Sequence, residues 1–152
     1  MNIFLDTNVI LESTLRREGY EVTRALYERI RHQDGRMFIS GGSFYSMIYV
    51  VDNFLRKHCR LIGDERINTL RVIMTNILYD LNVIGSDKDD LLQSINDVKF
   101  KDIEDSCQYQ TAVKAGCDFL ITFNIGDYPV DDDAVVRVLT PQQYLDLETL
   151  KE

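Results

Sequence analysis

Tryptophan is missing from the 152-residue chain, proline appears only twice, and no stretch is rich in proline, glycine or serine. With no linker composition to divide it, the chain is expected to form one domain over residues 1–152, long enough for a full hydrophobic core. No run of eighteen apolar residues occurs, and the start of the sequence has no charged-then-apolar leader. The expectation is a soluble, cytoplasmic protein with no membrane contact. Cysteine is sparse: Cys59, Cys107 and Cys117 stand far apart, form no CxxC, and have only His32 and His58 as further soft ligands. Tetrahedral zinc needs clustered ligands, so these read as reduced thiols. Positive charge is in deficit, with 17 Lys and Arg against 25 Asp and Glu and a net charge of −8. Proteins that hold nucleic acid by broad phosphate neutralisation are expected to be basic. A polyanionic substrate would need the field inverted locally, by bound cations or by a separate basic patch. The available positives are Arg16-Arg17, then Arg29, Arg31 and Arg36, then Arg56-Lys57-His58-Cys59-Arg60. Each of these also reads as an ordinary solvated helix face.

What is present is a repeated order of short apolar strand, polar corner and amphipathic helix, the pattern of a parallel α/β sheet. Ile3-Phe4-Leu5 is the unbroken apolar run of a strand covered on both faces, and it stops at Asp6. Open α/β sheets bind ligands at the carboxyl ends of their strands, which is where this places Asp6. Asn8 follows as helical periodicity begins through Val9, Leu11 and Leu15, so both side chains can face one crevice. Either could equally be the cap of that helix. A second helix is expected over Glu21 to Arg31, ended by Gln33-Asp34-Gly35, then a strand at Met37-Phe38-Ile39. Ser40-Gly41-Gly42-Ser43 leads into a helix from about Phe44 to Arg60. The two glycines suit a tight turn or a close approach of phosphate to backbone amides, without the Lys-Ser/Thr of a Walker loop. Helix 64–79, strand 82–84 and a helix from Ser86-Asp87 carrying Leu91, Leu92 and Ile95 follow.

Two later stretches concentrate acids. In Asp102-Ile103-Glu104-Asp105, three carboxylates occupy four residues at the start of a helix that runs to Gly116. An N-cap and the positive helix end account for some of them, yet this is more charge than a cap requires. Phe119-Leu120-Ile121 is a fourth buried strand, and Thr122, Asn124 and Asp127 lie at its C-terminal end. Three polar clusters thus converge on one sheet edge. A strand at 134–138 and a last helix with Pro141 at its first position, carrying Tyr144, Leu145 and Leu147, complete the pattern.

The series Leu5-Asp6-Thr7-Asn8-Val9, Ile39-Ser40, Asp102-x-Glu104-Asp105, Thr122-x-Asn124-x-x-Asp127-Tyr128 and Thr140-Pro141 resembles a PIN domain, in particular the bacterial group of type II toxin–antitoxin ribonucleases. The resemblance spans essentially the whole chain. It implies a three-layer α/β/α sandwich around a parallel, five-stranded sheet, and an acidic cleft that binds Mg²⁺ or Mn²⁺ and cleaves RNA. It also implies an antitoxin protein and a homodimer as partners. Position by position, Asp6 matches the first acid of the pattern and Asp105 the central one. Asn124 stands where the pattern has Asp or Asn, with Thr122 and Asp127 beside it, while Asn8, Ser40 and Asp102 match surrounding polar positions. One departure stands out. The family usually carries a Glu in the helix after the second strand, and Ser43-Phe44-Tyr45-Ser46 contains no acid, leaving Ser46 as the equivalent.

Phosphodiester hydrolysis needs a nucleophilic water and stabilisation of negative charge on phosphate, which carboxylate-held divalent cations supply. The expected arrangement has Asp6 and Asp105 as direct ligands, with Asp127, Asn124 and Asp102 orienting water or a weaker second ion. With one acid fewer, Mg²⁺ binding on the order of millimolar is expected. Two other readings stand beside this one. Asp6-x-Asn8 with Gly126-Asp127-x-x-x-Asp131 also resembles haloacid-dehalogenase-type phosphatases, but Asn8 cannot donate a proton and no lysine stands just before Gly126. The altered acid shell also suits a PIN fold that binds RNA or a partner protein without cutting.

Overall fold

The computed structural model describes residues 1–149; residues 150–152, the end of the expected 1–152 domain, lie outside the described residues. The chain runs β1 (Asn2–Leu5), α1 (Thr7–Thr14), α2 (Tyr20–His32), β2 (Arg36–Ser40), α3 (Gly41–Lys57), α4 (Gly63–Leu78), β3 (Leu81–Ile84), α5 (Lys88–Asn96), α6 (Ile103–Lys114), β4 (Phe119–Ile121), β5 (Arg137–Leu139) and α7 (Pro141–Thr149). A short 3-10 turn, Ile125–Asp127, follows β4. The five strands form one wholly parallel sheet in the order β3-β2-β1-β4-β5.

This order has a mechanical consequence. The chain winds outward from β1 to β2 and β3, then returns across β1 to place β4 on its other side. The neighbours β1 and β4 therefore flank the switch point, where loops leaving their carboxyl ends diverge and open a crevice. Strand alternation sends Ile3 and Leu5 to one face, packed with Val9, Leu26, Ile30, Met47 and Tyr144, and sends Phe4 to the other, with Tyr109, Leu120 and Tyr128. Burial on both faces is why β1 reads as a continuous apolar run.

Boundaries move where local chemistry overrides periodicity. α3 begins at Gly41 rather than near Phe44, because the Ser40 side chain accepts from Ser43 N at 2.9 Å and caps the helix three residues early. Gly41 and Gly42 thus lie in the first helical turn and make no tight turn. The helix also stops at Lys57, and Arg60 adopts a left-handed φ of 54°. At the end of α2 it is Asp34, at φ 52°, that takes the left-handed position rather than Gly35. Gly116, at φ 63°, closes α6 through Cys117 N donating to Ala112 O at 3.0 Å.

The expected strand 134–138 shifts to Arg137–Leu139. Three-residue β4 offers partners only from Arg137 onward, and Val135 stands in solvent. α5 forms as expected, yet Leu91, Leu92 and Ile95 are all exposed, since α5 packs on α6 through the small Ser94 and Ser106, whose hydroxyl donates to Ser94 O at 2.8 Å. The three cysteines are free thiols, and burial pushes Cys117 up to about 12, which leaves it protonated and inert. No helix among the described residues is long and apolar enough to cross a membrane.

Candidate active site

Asp6 leaves β1 at the switch point and is 95% buried, with 5% of its surface exposed. A carboxylate so placed needs donors, and two side chains supply them. Thr122 Oγ1 donates to Asp6 Oδ2 at 2.7 Å, and Asn8 Nδ2 donates to the same oxygen at 3.1 Å. Asn8 also bridges to the β4 side, donating to Thr122 Oγ1 at 3.3 Å and accepting from Phe123 N at 3.3 Å. Asn124 N donates to Thr122 Oγ1 at 3.0 Å. The ends of β1 and β4 are thus tied into one polar network, and Asp6 is held there as well as capping α1 by position.

Opposite this network stands the first turn of α6. Asp102 is its N-cap: Oδ1 accepts from Glu104 N at 2.7 Å and Asp105 N at 3.4 Å. That explains one of the three acids by helix chemistry alone and leaves Glu104 and Asp105 unaccounted for. Asp105 is partly buried and faces Asp6, and burial first, then Asp102, Asp6, Asp127 and Glu104 in turn, push its carboxyl up to about 7. Tyr128 links the two halves. Its hydroxyl donates to Asp105 Oδ1 at 3.5 Å and interacts with Asp6, and burial together with these two carboxylates raises its own pKa, so it stays a donor.

The sequence candidates therefore divide. Asp6, Asn8, Thr122, Asp105 and Asp127 converge, and Asn124 joins them through its backbone at the start of the 3-10 turn. Asp102 faces the same cleft as a cap. Ser40 does not join; its hydroxyl caps α3 and lies 2.8 Å from Ser43 Oγ, which in turn donates to Gln108 Oε1 at 3.4 Å and ties α3 to α6. Ser46 meets the cluster through an acid that sequence reasoning left without a role: Ser46 Oγ donates to Glu104 Oε1 at 3.4 Å. Tyr128 was also missed as a site group, although its place one residue after Asp127 was the available signal. The cap role of Asp102 makes a prediction. Asp102→Asn, also a good cap, should keep stability within about 0.5 kcal/mol, whereas Asp102→Ala should cost about 1 kcal/mol in urea melts.

A sequence profile of the PIN domain matches residues 2–126. The chain belongs to the PIN domain family. Among solved structures, VapBC2 of Rickettsia felis, bound to a DNA fragment from its promoter, matches with a TM-score of 0.63 and 13% identity, covering 92% of this chain and 98% of the other. The Mycobacterium tuberculosis toxin VapC20, which cleaves the sarcin–ricin loop, matches with a TM-score of 0.52 and 14% identity, covering 86% and 91%. At these identities the likeness is one of fold. No curated protein matches the sequence. Family membership sets aside the phosphatase resemblance, and the PIN fold of this chain carries its acids at the same switch point where its β1 and β4 diverge.

Among the described residues, no three acid, His or Cys side chains are drawn together into a ready-made metal cage. The acid side chains that line the cleft are nonetheless all hard oxygen donors, and burial followed by their mutual repulsion pushes the Asp105 carboxyl up. Such a set fits Mg²⁺ or Mn²⁺, which keep several waters and take few protein ligands, better than a softer ion.

Proposed function

We propose that this PIN domain is a metal-dependent endoribonuclease of VapC-like type, with Asp6, Asp105 and Asp127 holding Mg²⁺ or Mn²⁺. The observation that carries the reading is the gathering of Asp6, Asp102, Glu104 and Asp127 around the half-buried Asp105 at the sheet's switch point, a crowding that pushes the Asp105 carboxyl up. A structural role would not need such repulsion. A divalent cation there supplies Lewis-acid stabilisation of phosphate charge and a more acidic water. The chain's own residues do the positioning: Thr122 and Asn8 orient the Asp6 carboxylate, Tyr128 spans Asp6 and Asp105, and Asn124 and Asp127 border the opening. Glu104 restores to the shell the charge that α3 lacks at Ser46.

The toxin reading carries a partner with it. The acidic cleft suits a basic segment of an antitoxin protein, by analogy with the VapBC2 assembly, and a second copy of the chain as dimer partner is part of the same reading. The decisive experiment is single-turnover cleavage of structured and single-stranded RNAs with Mn²⁺ or Mg²⁺, comparing wild type with Asp6→Asn. Cleavage that needs the metal and disappears in the variant is expected. A folded protein that cuts none of the panel would instead favour a non-cleaving PIN module that binds RNA or a partner.

A further inference from the structure

The exposed face of α3 carries an aromatic pair. Tyr45 and Tyr49 are 73% and 70% exposed and sit one turn apart, and Arg56 falls on the same helical face two turns further on. From Tyr45 to Arg56 is about 17 Å at 1.5 Å per residue. Asp52, the acid on this face, is neutralised by Arg66 Nε at 3.2 Å. At its C-terminal end the helix turns basic, with Lys57 and His58 sharing a concavity with Arg17 from beyond α1. At its N-terminal end Tyr45 lines a groove of about 680 Å³, together with Ile103, Leu91, Ser46 and Glu104. Glu104, which accepts from Ser46 Oγ in this groove, is also one of the acids around Asp105, so the groove adjoins the acidic cleft through Glu104.

We propose that this face of α3 is the docking track for single-stranded RNA, with bases stacked on Tyr45 and Tyr49 and the backbone running toward Arg56 and Lys57. The proposal rests on the reading of the cleft as RNA-cleaving, and it names the form of substrate that reaches it. Aromatic faces accept any unstacked base, whereas a paired helix offers none, so the track selects single strands, loops and bulges. It also resolves the charge deficit. A chain with a net charge of −8 holds RNA by stacking and two or three local cations rather than by broad phosphate neutralisation, so affinity falls only gently with salt.

The test measures binding apart from cleavage. Fluorescence anisotropy of a labelled, unstructured RNA octamer is recorded on Asp6→Asn protein without divalent metal, so that nothing is cut. In that background Tyr45→Ala and Tyr49→Ala should each weaken binding about tenfold, and Arg56→Gln should lower the salt slope by about one. Tyr79→Ala, which removes an even more exposed ring just beyond α4, should leave binding unchanged. Equal binding by the double tyrosine variant and the Tyr79 control overturns the track. So does an octamer that fails to bind while the tyrosine variants lose self-association in sedimentation, which would make the face an interface between copies. Metal-dependent cleavage by otherwise wild-type protein, unaltered by the tyrosine changes, would remove the track while leaving the nuclease. Tyrosine-dependent binding with no cleavage would remove the nuclease while leaving the track.

Discussion

Asp105→Asn is expected to lower Mn²⁺-dependent RNA cleavage by on the order of a hundredfold to a thousandfold and, at the same time, to make the metal-free protein more stable. The two effects have one cause. In the folded chain the Asp105 carboxyl is pushed up to about 7, first by burial and then by Asp102, Asp6, Asp127 and Glu104, whereas in the unfolded chain it titrates near 3.9. Between those values the native state keeps a proton that the unfolded state has released. Stability therefore falls as pH rises from about 4 to about 7, and the whole penalty persists above that. A shift of this size would correspond in full to about 4 kcal/mol, and because Asp105 keeps contact with solvent we expect about 1–2 kcal/mol of it. Asn carries no such proton. Thermal melts in chelator should place the variant roughly 3–6 °C above wild type at pH 8 and level with it at pH 4. Saturating Mn²⁺ should then reverse the order, since only wild type gains ligand stabilisation. Wild-type melting that ignores both pH and Mn²⁺ would remove the metal site from the proposal.

The same residue shows how far the sequence carries. The apolar runs Ile3-Phe4-Leu5 and Phe119-Leu120-Ile121 end in polar residues at the same strand edge, and a parallel sheet brings equivalent ends together whatever the helices do. Asp6, Thr122 and Asp105 were therefore legible as a cluster. Which acid of the α6 start serves the cap was not, because Asp102, Glu104 and Asp105 are all chemically able, and only the backbone path decides that Asp102 takes it. The Ser40 cap was hidden for a similar reason. Glycine at 41 and 42 argues against helix on propensity, and a single serine-to-amide hydrogen bond outweighs it. Leu91, Leu92 and Ile95 mark α5 as a helix but leave open what covers them, since periodicity reports amphipathicity and not the partner of the apolar side, and here they stay exposed. In β5 the limit came from the partner strand, whose three residues set where pairing could begin.

The sequence also left an apparent gap at Ser46, and the structure gives that gap a specific, testable form. Glu104 rises from the first turn of α6, its amide held by Asp102, and its Oε1 accepts from Ser46 Oγ across the cleft. Its charge contributes to the field that raises Asp105. If Glu104 supplies from α6 the acid expected on α3, then Glu104→Gln should weaken Mn²⁺ binding in a calorimetric titration by about ten- to a hundredfold and cut cleavage by a similar factor. Moving the charge back should compensate. Glu104→Gln combined with Ser46→Glu places one carboxylate at the same contact from the opposite helix, and it should recover most of the lost affinity. Ser46→Glu alone sets two like charges at that contact. In chelator it should lower the melting temperature, and Mn²⁺ should remove the deficit. Wild-type affinity and turnover in Glu104→Gln would reduce Glu104 to an acid that favours the positive end of α6, leaving Asp6, Asp105 and Asp127 as the whole ligand set.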